Sequence, residues 1–367
     1  MKLTYHMSTK VIMGEKCIRD NAELIRGMGK RALIVTGASS AKLCGALDDV
    51  TASLKSAGKS HVIYDKVMNN PTVDCVYDGA AIARREGTDF VIAIGGGSPM
   101  DAAKAIALLA RQIMPRKKLF SGEFGTDVLP MAHVPTTAGT GSEVTPYAIL
   151  TNDEIHSKQS ISSPALFPKY AFLDVRYLNS LPHQAAVNTA IDALSHAVEG
   201  MLTVRAGIMS DLIARESISR ISACFDALTG RSLDKENKEQ LLYGSMLAGI
   251  VIANTGTTAL HSMGYPLTYY KNIEHGRANG LLMAAYLEFL NTHVPEKISE
   301  ILSLMNIDSV NSLRLLLDKL LGGKEAVTLK EIEQYAENSS MSKNVKNTIY
   351  EPSVTDMQGI YRQSFKL

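Results

Sequence analysis

The run Asp89-Phe90-Val91-Ile92-Ala93-Ile94, followed at once by Gly95-Gly96-Gly97-Ser98-Pro99-Met100-Asp101, constrains the fold more than any other stretch of the 367 residues. A short apolar run bounded by glycine predicts a buried strand. The Ala-rich segment Ala102–Ala110 predicts a helix. Strand, glycines and helix start together suit a phosphate cradle. Glycine lets backbone N–H groups approach an anion, and a helix N-terminus adds positive partial charge. The plainer alternative is a tight turn with unusual backbone angles. The motif is not GxGxxG, and it follows a later strand rather than the first.

Other strands surround it. Arg31–Thr36 is an apolar run ending at Gly37-Ala38-Ser39-Ser40, where Ser39 or Ser40 can cap a helix over Ala41–Ala57. His61–Asp65 reads as a strand, and Asn69-Asn70-Pro71-Thr72 as a turn opening a helix to about Glu86. A short strand around His133 leads into the loop Pro135–Glu143. The hydroxyls of Thr136, Thr137, Thr140 and Ser142 there suit hydrogen bonds to a ribose or phosphate, or a polar surface. Tyr147–Thr151 and Tyr170–Asp174 are further strands, with Lys158 in a polar turn between them, facing a cofactor ribose or solvent. Strands alternating with helices predict parallel βαβ units.

From Pro182 onward the strand signals give way to helical periodicity over Ala185–Val204, Ile208–Leu228, Lys235–Ala253, Leu281–Leu290, Ile298–Met305, Ser312–Leu321 and Leu329–Asn338. The stretch from Asn344 reads as a loose tail with one short helix. Such a length exceeds the usual single core, so two domains are expected, an α/β domain over 1–180 and an all-α domain over 181–367.

In the second of these, Asp192 and His196 are four residues apart, one helical turn on one face. They form either half of a metal site or a hydrogen-bonded surface pair. His261 sits on a short segment expected to end at Pro266, and His275 just before a helix beginning near Leu281. The four side chains offer three nitrogens and one oxygen to a divalent cation. The remaining histidines (His6, His61, His133, His156, His183, His293) are assigned structural roles.

A formal net charge of +1 argues against nucleic acid or an anionic membrane as partner. No apolar run spans a bilayer, and Met1–His6 is not followed by an apolar signal core. Cys17, Cys44, Cys75 and Cys224 lack CxxC spacing, which points to thiols in a reducing compartment, the cytoplasm.

These motifs resemble the iron-containing (group III) alcohol dehydrogenases over nearly the whole chain. The matching segments are Gly95–Lys104, Pro135–Thr145, Asp192–Glu199, His261 and His275-Gly276-Arg277-Ala278-Asn279. The resemblance implies a Rossmann-like first domain, a helical second domain and an active site in the cleft between them. It implies that Asp192, His196, His261 and His275 hold one metal, usually Fe²⁺, though the ligand set alone also suits Zn²⁺. It also places a nicotinamide cofactor along Gly96, Gly97, Ser98, Asp101 and the 135–145 loop, with Asn70 and Lys158 near it, and leads us to expect a homodimer or higher homo-oligomer.

The sequence departs from the family pattern at two positions. Many NAD-using members carry an Asp where Gly37 stands; a carboxylate there binds the ribose 2′-OH and repels a 2′-phosphate. Gly37, Ser39, Ser40 and Lys42 instead suit an added phosphate, so NADP(H) is expected over NAD(H), the alternative being a relaxed choice. Many members also have a proton-transferring His where Tyr265 stands; Tyr265 either donates that proton or walls the pocket.

The expected reaction is hydride transfer between NADP(H) and a primary alcohol, aldehyde or diol, with Glu199 either orienting an imidazole or lying on the surface. A glycerol dehydrogenase-like zinc enzyme using NAD(H), a dehydroquinate synthase-like lyase and a non-catalytic nucleotide-binding protein are the other readings. The lyase ranks lower because only Lys271 and Arg277 lie near His261 and His275.

Overall fold

The computed structural model describes residues 4–155 and 157–367; the assignment of His156 and the reading of Met1 to Leu3 fall outside the described residues. By its contacts the chain divides into two compact units, Met7–Leu181 and Pro182–Leu367, the second joined by the residues up to His6. Thr4–His6 thus group with the helical unit and not, as the sequence suggests, with the first.

The first unit holds β1 (Lys10–Met13), β2 (Arg31–Thr36), β3 (Ser60–Tyr64), β4 (Phe90–Gly95), β5 (Met131–Pro135), β6 (Tyr147–Asn152), β7 (Ser157–Ser162) and β8 (Tyr170–Leu173). Six of them form one sheet in the order β1-β8-β5-β4-β2-β3, every pairing parallel. Its helices include α1 (Ala46–Ser56), α2 (Val73–Arg85) and α3 (Gly97–Arg111). Alternation along the strands sorts the core into two layers. Leu33, Val35, Val91 and Ala93 pack with Val76, Ala80 and Ala103 of α2 and α3. Ala32, Ile34, Ile92 and Ile94 pack with Leu47, Val50 and Leu54 of α1. Both faces are covered, which is why β2 and β4 are continuous apolar runs. After β2 the chain builds β3 on one side and then crosses to β4 on the other. The reversal lies between β2 and β4, where open α/β sheets bind ligands beyond the strands' carboxyl ends. Those ends are Thr36-Gly37 and Gly95-Gly96.

Several elements differ from the sequence expectation. The helix expected over Ala41–Ala57 is two, Ser40–Leu43 and α1, separated by Gly45 at φ 81. The Ala-rich helix begins at Gly97, not Ala102, so two of the glycines form its N-terminus. Lys158 lies not in a turn but on β7, paired with Thr151 in an antiparallel β6–β7 hairpin. The polar strand SKQSIS buries only Ile161 fully, and so carries little hydrophobic signal. β1 is short and half-exposed at the sheet edge, and it escapes sequence reading for the same reason.

The second unit is helical: α4 (His183–Met201), α5 (Ile208–Ser222), α6 (Lys235–Thr255), α7 (Ala259–Lys271), α8 (His275–Asn291), α9 (Pro295–Leu304), α10 (Val310–Leu321), α11 (Leu329–Ser340) and α12 (Val354–Phe365). The helix expected over Ile208–Leu228 breaks before a short Phe225–Thr229 helix. α7 does not stop at Pro266. Proline deprives the Ser262 carbonyl of its helical partner, but Leu260, Met263 and Leu267 are fully buried, and their packing carries the helix through. α8 starts at His275 itself, six residues before Leu281. The C-terminus is not a loose tail. α12 is closed by a Ser353–Asp356 capping box, buries Met357, Ile360 and Tyr361, and donates the Tyr361 hydroxyl to the Met263 carbonyl of α7 at 2.6 Å. Among the described residues no helix is long and apolar enough to cross a membrane.

Candidate metal centre and phosphate-binding loops

α4 places Asp192 and His196 on one buried face. α7 contributes His261 from its first turn, and the N-terminus of α8 contributes His275. Close approach of these helices relies on glycine. A Cβ at Gly276 would lie 2.0 Å from the Asn188 carbonyl oxygen and 2.8 Å from the Asp192 Cβ, so α8 meets α4 only because residue 276 has no side chain. Asn188 also donates its amide to Glu274, the residue preceding α8.

Three of the four expected ligands converge. The Nε2 atoms of His261 and His275 each lie 3.8 Å from Asp192 Oδ1, and one ligand atom from each residue lies within 4.8 Å of the others. Two atoms bound about 2.1 Å from a tetrahedral cation stand about 3.4 Å apart, so this donor set is slightly open and fits a first-row divalent ion. His196 is not in the converging group. Its ring stacks on that of His261, with centroids 4.6 Å apart. Tyr265 stacks on His275 at 5.5 Å, with ring planes 15° apart.

Glu199 is the orienting group, not a surface charge. It is fully buried and accepts hydrogen bonds from Thr258 N at 2.8 Å, Thr258 Oγ1 at 2.6 Å and His261 N at 3.3 Å. Its second carboxylate oxygen meets His261 Nδ1. Burial pushes the Glu199 carboxyl up, but His261 and these hydrogen bonds outweigh it and hold it below the usual range. Donation of Nδ1–H to Glu199 is the arrangement that leaves His261 Nε2, on the Asp192 side, for a cation. Tyr286 donates to Thr258 Oγ1 at 2.9 Å, extending the chain of partners.

In the sheet unit the two small-residue loops lie against each other. Gly95 has φ 149, a conformation that favours glycine. A Cβ at Gly96 would lie 3.1 Å from Thr137 Oγ1, and one at Gly97 2.7 Å from Thr140 Cγ2. The Thr136 amide donates to the Gly95 carbonyl at 2.9 Å. Asp101 and Ser142 help build the loops: Ser142 Oγ donates to Asp101 Oδ1 at 2.6 Å, and Asp101 Oδ2 accepts from Ile149 N at 3.0 Å. Lys104 is buried beneath them and donates to Ser142 Oγ at 2.8 Å, Thr145 Oγ1 at 3.1 Å and the Tyr147 carbonyl at 2.7 Å. Asn70, at φ 56, donates its backbone N–H to Ser98 Oγ at 3.2 Å, which ties its turn to the glycine loop. Gly37, Ser39, Ser40 and Lys42 follow β2, whose end pairs with that of β4. The Lys42 ammonium is 3.5 Å from Asp65 in an exposed pair. His133 is buried, and burial, then Lys104, holds its ring neutral.

Sequence reasoning did not single out Lys104 or Asn279, although both lie inside the quoted motifs. The available signals were a lysine in an otherwise Ala-rich helix, and an amide one turn after His275.

Comparison with known proteins gives concordant results. Residues 8–175 match the family described as iron-containing alcohol dehydrogenase, and residues 186–365 match the C-terminal domain of the Fe-containing alcohol dehydrogenase family. The chain is 33% identical over 282 residues to the lactaldehyde reductase of Escherichia coli (strain K12), covering 76% of this chain and 73% of that one. It is 28% identical to the NADPH-dependent butanol dehydrogenase of Clostridium saccharobutylicum, covering 89% and 86%. It resembles a crystal structure of an iron-containing alcohol dehydrogenase from Thermotoga maritima with a TM-score of 0.93 and 39% identity over 99% of both chains.

Proposed function

This chain belongs to the iron-containing alcohol dehydrogenase family, and on that premise we propose that it is a metal-dependent oxidoreductase moving hydride between NADP(H) and a primary alcohol, aldehyde or diol. The observation that carries the reading is the convergence of buried Asp192 and His261 with half-buried His275. These residues, with His196 as fourth donor, would hold Fe²⁺. When bound, such an ion supplies Lewis acidity to the substrate oxygen, easing loss of its proton in one direction and polarising a carbonyl in the other.

The chain's own residues supply the rest. Glu199 keeps the His261 ring turned with its Nε2 inward. Tyr265, stacked on His275, is the proposed proton donor in place of a histidine. Tyrosine has an ordinary pKa of about 10, so it serves as an acid more readily than as a base near neutral pH. The glycine loop and the start of α3 present N–H groups to the pyrophosphate, with Thr136, Thr137, Thr140 and Ser142 beside them and Asn70 and Lys158 flanking. Ser39, Ser40 and Lys42 take the 2′-phosphate. The exposed Lys42–Asp65 pair is weak and leaves the ammonium available. The NADPH dependence named for the Clostridium saccharobutylicum relative supports this preference. The reading extends to a homodimer in a reducing compartment, in keeping with the free thiols of Cys17, Cys44, Cys75 and Cys224.

Anaerobically purified protein should carry about one metal per chain, and His261→Ala should lose metal and turnover while retaining dinucleotide binding. Full activity in a metal-free preparation would refute the site. Fluorescence titration should give tighter binding of NADPH than NADH; the reverse order would remove the role given to Gly37, Ser39, Ser40 and Lys42.

A further inference from the structure

The side chain that touches most of the donor set is none of the proposed ligands. Asn279 lies one turn after His275 on α8 and is fully buried. Its Nδ2 is 3.1 Å from Asp192 Oδ1, 3.2 Å from His261 Nε2 and 3.4 Å from His275 Nε2. One carboxamide nitrogen thus addresses one ligand atom of each residue in the converging group.

We infer that Asn279 is a positioning residue that preassembles the metal-free donor set, its N–H groups holding the lone pairs that a cation takes over. This inference rests on the metal site proposed above. Two physical arguments lead to it. First, a carboxylate oxygen and two imidazole lone pairs face one another in a largely buried space, with only His275 half-exposed, and without a positive group between them they repel. The polarised N–H groups of a primary amide supply that positive end, with two donors shared among three acceptors. Second, donation to an imidazole Nε2 requires that nitrogen to be unprotonated. In His261 the Glu199 carboxylate draws the ring proton to Nδ1 from the opposite side. The tautomer follows from these partners, and both favour the form a cation binds.

The room for the amide comes from α7. A Cβ at Gly264 of α7 would lie 2.2 Å from Asn279 Oδ1 and 3.4 Å from its Cγ. The carboxamide therefore occupies the space left by the missing side chain of residue 264. Turning the amide over would set Oδ1 against the Asp192 carboxylate, acceptor against acceptor. Gly264 thus makes room for Asn279, and Asn279 sets the geometry of Asp192, His261 and His275. A site built this way loses less freedom when it binds its ion, because the ordering is done by the fold.

Cobalt(II) added to chelator-stripped full-length protein tests this, because its visible absorption reports both binding and coordination. Asn279→Leu keeps the volume and removes the donors. It should bind cobalt about 10- to 100-fold more weakly than the parent, the scale of losses for groups that orient metal ligands, with an altered absorption envelope and unchanged NADPH binding. Gly264→Ala, which displaces the amide without altering it, should weaken cobalt binding in the same sense and covers the case in which Asn279→Leu fails to fold. Parent-like cobalt affinity in either folded variant overturns the proposal. A parent that takes up no cobalt or iron removes the metal site itself, and the role of Asn279 falls with it.

Discussion

Lys104 shows what a single buried residue can decide. Its ammonium is fully enclosed and has three hydrogen-bond partners, with Asp101 3.8 Å away. Burial lowers its pKa to about 8, against the opposing pull of Asp101 and Glu143. Removing one member of a buried charge network leaves the others uncompensated, so Lys104→Met should cost about 3–5 kcal/mol in denaturant unfolding. It should also raise the Kd for NADPH, because Ser142 and Thr145 lose their tether. The pH dependence has a definite sign. Between about 8 and the ordinary lysine value of about 10.4 the unfolded chain binds the proton that the folded chain releases. Stability contributed by this group therefore rises with pH across that window, and the stability difference between parent and Lys104→Met should grow from pH 8 to pH 10; a constant difference would show that Lys104 keeps its proton throughout. At this scale the sequence was informative where chemistry is rare. A carboxylate and imidazoles are recognisable as potential ligands from residue type and spacing, whereas a buried amide such as Asn279 resembles any other asparagine. The stacking of His196 on His261 is a tertiary contact that no spacing encodes.

At the scale of elements, the α4–α8 contact sets the donor geometry. Gly276→Ala should force the helices apart, cost about 1–3 kcal/mol as overpacking does, and weaken cobalt binding in proportion; denaturant melts and metal titration measure the two effects. Tertiary packing explains two differences from the local expectation. Local rules end a helix at Pro266 and start the next near Leu281, because proline interrupts hydrogen bonding and His275-Gly276-Arg277 looks loop-like. Tertiary burial of Leu260, Met263 and Leu267, and the glycine-mediated approach to α4, override both. Strands behaved differently. β2 and β4 were legible because both faces are buried, while β1 and β7, polar or half-exposed, left only weak periodicity.

At the scale of the molecule, the proposed ligands come from α4 and from the consecutive helices α7 and α8, more than fifty residues further on, so a cation bound there would join them. Binding to the folded state alone stabilises by about 2.7 kcal/mol when the free ion is at one hundred times its Kd. Thermal midpoints should therefore rise with added Zn²⁺ or Fe²⁺ and fall on chelation, and His261→Ala should abolish the response. A midpoint indifferent to metal in the parent would contradict the site. The covalent path has a separate consequence. The chain leaves the helical unit after His6, builds the entire sheet unit, and re-enters at Pro182. The sheet unit is therefore one continuous stretch of chain, while the helical unit draws on residues from both sides of it. One proteolytic nick near residue 181 should therefore give two covalently separate fragments, the first still carrying the residues up to His6 that group with the helical unit, and a sheet unit free of helical-unit residues should require a second cut near Met7.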